Sequence, residues 1–137
     1  MSVFDQGSLL HIHSLIAPQE VDTADAVVTA VDTAGYGAVT LLFQLGDIKD
    51  LTAVNKFSIA LEDSEDGLIY AAIPAANKVE IQGSWPGALD DTSVAGALAT
   101  MVLKGTRRYV KVSAAFAGTA HASFAAYAIL GGGYVCP

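Results

Sequence analysis

Cysteine is almost missing from this sequence: Cys136 is the only one. It sits beside the C-terminus, where a lone thiol has no partner for an intrachain disulfide and a zinc site would lack thiol ligands, so a reduced, cytoplasmic site of synthesis fits. Charge is scarce as well, at 15% of 137 residues against about 25% in ordinary soluble domains. Positive charge is the scarcest, with 7 Lys+Arg against 14 Asp+Glu and a formal net charge of −7. No basic residue precedes Lys49, which removes the positive n-region of a secretory signal, and Leu9 to Ile16 is too short and too polar for its apolar core; export is not expected. Long apolar runs are lacking too. The longest uncharged stretch, Val112 to Pro137, is interrupted by Ser113, Thr119, His121, Ser123 and the Gly131-Gly132-Gly133 triplet, which excludes a helical membrane span of about 20 apolar residues.

Motifs of catalysis are also lacking. Gly131-Gly132-Gly133 does not open a helix and so makes no phosphate cradle. The segment Gly83-Ser84-Trp85-Pro86-Gly87 does not have the spacing of a serine-nucleophile elbow. Glu62-Asp63-Ser64-Glu65-Asp66-Gly67 partly resembles a calcium loop but carries Ile73 where the closing bidentate acid belongs, so it reads as a solvated hairpin turn whose acids face water. No catalytic residue, cofactor site or metal site is expected, and the chain does not read as an enzyme.

What is present is an apolar majority, 53% of residues, in a chain long enough to bury roughly two-thirds of its unfolded surface in one core. Few charges then cover a large surface, which predicts that part of it is covered by copies of the chain or by a partner. Apolar residues alternate in Val39, Leu41, Phe43, Leu45 and in Phe57, Ile59, Leu61, the period of strands buried on one face. Further strands are predicted at Val27–Val31, Leu68–Ile73, Lys78–Ile81, Thr100–Lys104, Arg108–Ser113 and Ala122–Leu130, with Leu9–Leu15 a weaker one. Alanine favours helix across Ala114–Leu130, but Gly118-Thr119 breaks the run and alternation continues beyond it, which predicts two strands and a turn. Eight or nine short strands with short connections predict an all-β fold, a jelly-roll-like antiparallel sandwich of about eight strands. Residues 1–24 read as an N-terminal arm or first strand, and residues 25–137 as a single sandwich domain.

A few side chains stand out as candidate contacts. His11 and His13 would project from one face of a strand, the geometry of a metal pair or of two ordinary edge histidines; a third ligand is not evident. Lys104, Arg107, Arg108 and Lys111, with Tyr109 among them, are four of the seven basic residues within eight positions. Against a net charge of −7 they suit partner carboxylates, or local pairing with the chain's own acids, better than nucleic acid. Trp85 beside Pro86 could stack on a sugar, insert into a neighbour, or cap the end of the core.

Taken in order, Val31-Asp32-Thr33-Ala34-Gly35-Tyr36-Gly37-Ala38-Val39-Thr40, Leu61-Glu62-Asp63-Ser64-Glu65-Asp66-Gly67, Gly105-Thr106-Arg107-Arg108-Tyr109-Val110-Lys111-Val112 and the ending Ala128-Ile129-Leu130-Gly131-Gly132-Gly133 resemble the capsid cement, or decoration, proteins of tailed bacteriophages. The resemblance covers roughly residues 25–137 and leaves Met1 to Ala24 unmatched. It implies a jelly-roll-like sandwich without catalytic or metal residues that binds the outside of the assembled major-capsid-protein lattice and strengthens it. It also implies a homo-oligomer, trimeric by preference and dimeric as the variant, located on the capsid exterior after synthesis in the host cytoplasm, with no direct nucleic-acid or membrane contact. Leu9, His11, His13, Trp85, Arg107, Arg108 and Tyr109 are the candidate interface residues. A second reading is a tail- or fibre-associated sandwich that binds host glycans through Trp85, Tyr36 and Tyr70.

Overall fold

The computed structural model describes residues 10–22, 28–118 and 120–133. Within them the chain forms ten strands: β1 (His11–Asp22), β2 (Val31–Asp32), β3 (Tyr36–Lys49), β4 (Lys56–Ser64), β5 (Ala71–Ala72), β6 (Lys78–Gln82), β7 (Ala88–Leu89), β8 (Leu98–Leu103), β9 (Tyr109–Ala117) and β10 (His121–Gly133). They make two sheets. The larger runs β1-β10-β3-β8-β6, and the smaller runs β2-β9-β4-β5 with β7 also on β4; every pairing is antiparallel. The fold is therefore an all-β sandwich.

The core lies where the alternation places it. Leu41, Phe43 and Leu45 of β3 face Phe57, Ile59 and Leu61 of β4 across the interior, with Val110 and Val112 of β9 beside them, and all are buried. Phe124 joins the two layers: its ring stacks on Phe43 at 5.9 Å and meets Phe57 edge-on at 5.6 Å. Between Phe124 and Leu130, β10 places Ala126 and Ala128 in the core cluster, and Ala125 is buried as well. Small side chains there let a strand paired on both sides pack closely, so tertiary context overrides the helix propensity of alanine. At Gly118 the chain turns from β9 to β10 with φ +109, and a Cβ would collide with Asn55, so only glycine fits.

Several elements differ from the sequence reading. Leu68–Ile73 shrinks to Ala71–Ala72, for a reason given below. Of Val27–Val31, only Val31 enters a strand, and Val27 lies outside the described residues. The weak first strand extends to Asp22, paired along β10 through two register shifts, between Ser14 and Ile16 and between Ile16 and Gln19. The second shift holds Pro18, which an edge strand tolerates because its missing N–H is not needed by a neighbour. Residues 11–22 thus form a strand of the sandwich with Leu10 leading into it, and residues 1–9 and 23–24 of the proposed arm, Leu9 included, lie outside the described residues.

Candidate interaction surfaces

The antiparallel registers place the turn at 33–35 and the loops at 65–70 and 104–108 at one end of the sandwich. There Ser64 and Asp66 organise the loop after β4. The Ser64 hydroxyl donates to Asp66 Oδ1 at 2.9 Å and accepts the Gly67 N–H at 3.0 Å. Asp66 Oδ1 also accepts the N–H groups of Leu68 at 2.8 Å and Ile69 at 3.1 Å. These backbone donors, with the Ser64 hydroxyl, hold the Asp66 carboxyl below its ordinary range. Because Asp66 takes the N–H groups a ladder would have used, residues 68–69 cannot pair as a strand. The loop instead displays Leu68 and Ile69 to solvent, 82% and 77% exposed. Gly67, at φ +76, lies against the Tyr109 ring, where an added Cβ would sit 3.5 Å from it.

The acids of this segment do not all face water, as the sequence reading had it. Asp63 is only 4% exposed and accepts the Arg107 N–H at 3.1 Å, and Glu62 accepts the Ser113 hydroxyl at 3.0 Å. The basic cluster is divided in the same way. Arg108 grips Asp32 through Nε and Nη2 at 2.9 and 2.8 Å and lies 5.1 Å from the Tyr109 ring centroid. That pair, helped by the Ala34 N–H, lowers the Asp32 pKa to about 2. Lys111 stands opposite Glu62 and 4.0 Å from the Tyr70 ring centroid. Local pairing with an acid accounts for Arg108, and the Tyr70 ring for Lys111, leaving Lys104 and Arg107 exposed at the same end of the sandwich.

The other candidates fall elsewhere. His11 and His13 share one side of β1, opposite Leu130 and Ala128, with His11 edge-on to Tyr36 at 5.3 Å. Among the described residues no group of three or more His, Cys, Asp or Glu is placed to hold a metal. Trp85 is a wedge rather than a displayed ring: it meets Phe43 edge-on at 5.7 Å, and its backbone N–H donates to Glu80. Its Nε1 is buried with no hydrogen-bond partner. The ring separates two open clefts of about 600 and 550 Å³, one lined by Leu45 and Leu89 and the other by Ile59 and Met101. Trp85, Tyr36 and Tyr70 are engaged by Phe43, His11 and Lys111 respectively; Tyr36 follows the 33–35 turn and Tyr70 ends the 65–70 loop, whereas Trp85 packs against the core.

A surface that the sequence did not reveal lies on the outside of the larger sheet. The registers align Ile12, Ile129, Thr40, Val102 and Val79 in one row across all five strands. The next row is Ser14, Tyr127, Leu42, Thr100 and Gln82. Neither row carries a charge, and Ile12 is 68% exposed. Of the charges of this sheet, Glu20, Asp47 and Lys49 gather with His121 at its far end, and Lys78 and Glu80 lie on the edge strand β6 in register with the inward Leu103 and Met101. Comparison of the chain with known proteins finds no matching family model, no matching curated protein and no matching solved structure.

Proposed function

We propose that this chain is a structural virion protein that binds the outer surface of a tailed-phage capsid lattice as a small homo-oligomer, and that it works by adhesion without catalysis. The specific assignment comes from the ordered segments that resemble cement proteins. Support for a jelly-roll winding comes from the strand order, in which β1-β10-β3-β8 interleaves with β2-β9-β4 across the sandwich. The observation that carries the adhesive reading is the braced Leu68–Ile69 tip. Two aliphatic side chains held in solvent by an Asp66 carboxylate are fixed in the exposed position before any partner arrives, so docking them costs little ordering entropy. Arg107, exposed at the same end of the sandwich, suits the acidic rim of an apolar pocket.

A protein that binds only the assembled shell stabilises it by mass action, and a modest free energy per site is multiplied over a repeating lattice. Purified mature particles are therefore expected to hold this protein in stoichiometric ratio to the major capsid protein; a few copies per particle would overturn the reading. Shells stripped of the protein should rebind it and resist heat better. Leu68→Asp with Ile69→Asp should weaken that rebinding at least about tenfold, since two buried charges replace two apolar anchors, while the melting temperature of the free protein stays nearly unchanged. Undiminished binding by the double variant would remove the tip from the contact.

A further inference from the structure

We propose that the uncharged outer face of the β1-β10-β3-β8-β6 sheet is occupied by a second copy of this chain, the two copies meeting face to face about a two-fold axis. This deepens the reading above, from which it takes only that the protein works as a small oligomer.

The charge distribution selects the occupant. A chain with a net charge of −7 repels its own copies over most of its surface, and close approach is cheapest where none of its acids must be buried. The two central rows of this face meet that condition. A neutral surface also matches itself without requiring a partner of opposite sign, whereas a basic partner attracted to this acidic chain would find nothing there to pair with.

Area and shape agree. The two rows on five strands spaced about 4.8 Å apart, continued by Ala125, Gln44 and Leu98 on three of them, present roughly 400 Å² in projection at about 3.4 Å per residue. Two copies would bury about 800 Å², the low end of the range, which suits a weak, reversible pair. Tyr127 and Leu42 project beside the shorter Thr40 and Thr100, giving the relief that lets facing sheets interdigitate about 10 Å apart. One self-complementary face closes by a two-fold axis, whereas a ring of three needs two different patches. The pairing therefore predicts a dimer in place of the trimer that the family resemblance implies.

Sedimentation equilibrium of the full chain tests this directly. The expected mass is twice that of the 14.1 kDa chain, and Val102→Asp should weaken association at least about tenfold with an unchanged circular dichroism spectrum. In case that variant fails to fold, Thr40→Cys in a Cys136→Ser background supplies a second test. A short bis-maleimide should capture a covalent pair through residue 40 on the middle strand, and far less through Ser58→Cys on the opposite sheet. A monomer at every concentration, a trimer, or equal capture at both positions would overturn the pairing. So would a monomer whose residue 40 is shielded from thiol reagents, because the chain's own terminal segments would then cover the face. A monomer that still decorates shells refutes only the pairing, and a dimer that ignores shells refutes only the capsid reading.

Discussion

The two sheets share one core but show different outer faces. On the smaller sheet the outward pairs are Lys111 with Glu62, Ser113 with Ala60, Ala115 with Ser58 and Ala117 with Lys56, the small and charged composition of an antiparallel sheet that faces water. On the larger sheet the two corresponding rows hold isoleucine, valine, leucine, threonine and tyrosine, with Ser14 and Gln82, and no charge. Folding demands the same of both layers inside, so the outer contrast reflects what each side meets after folding. On the pairing proposed above, the larger sheet is the covered face and the smaller sheet the solvated one.

The largest expected effect erases the contrast altogether, because it acts on the core both layers need. Phe57→Ala removes a fully buried ring that contacts Phe116 at 4.9 Å and Phe124 at 5.6 Å. It should cost about 3–5 kcal/mol of folding free energy, measured by urea unfolding of the isolated chain. A loss under about 1 kcal/mol would mean that the rings do not tie the layers together.

A smaller effect separates the faces. Ile129→Ser on the larger sheet should weaken self-association while costing the fold only about 1 kcal/mol, the span of strand propensity. Ser113→Ala on the smaller sheet removes its hydrogen bond to Glu62 and should cost about 1 kcal/mol or less without changing association. Sedimentation and urea melts of the two variants read both quantities. Equal effects on association would dissolve the distinction between the faces.

How much of this was legible beforehand depends on the range of the interactions concerned. The β3 and β4 alternation is local, set by one buried face, and it placed Phe43 and Phe57 in the core. The alanine-rich end was legible through Gly118 and the alternation after it, although propensity pointed toward helix. Leu68, Tyr70 and Ala72 alternate like a strand too, yet Asp66 had already taken the Leu68 and Ile69 amides; an Asp-Gly step followed by exposed aliphatics was the available signal. The acid run misled at Asp63 because its partner, the Arg107 N–H, lies 44 residues away. The uncharged rows draw one residue from each of five strands, so no window of sequence contains them. They become visible only once β1-β10-β3-β8-β6 is known. Trp85, the most conspicuous single residue, proved to be a core wedge, and Leu9 lies outside the described residues.

The smallest expected effect concerns the end where the two faces meet the loops. Asp32 is paired with Arg108 across 76 positions and holds the 33–35 turn through the Ala34 N–H, and its folded pKa is depressed to about 2 from an unfolded value near 3.9. A group depressed on folding contributes stability that is fully present above its unfolded pKa and is lost as pH falls through the folded one. The contribution should therefore be intact at neutral pH, begin to fade near pH 4 and be lost as pH falls below about 2. Both side chains are substantially solvated, so salt should diminish it further. Asp32→Asn should flatten this part of the pH–stability curve and shift the melting temperature little at pH 7, leaving self-association untouched, since neither member of the pair belongs to the uncharged rows. A variant that lost dimerisation as well would show that the turn end and the sheet face act as one surface, and the contrast between the two sheets would then have to be redrawn as a contrast between the two ends of the sandwich.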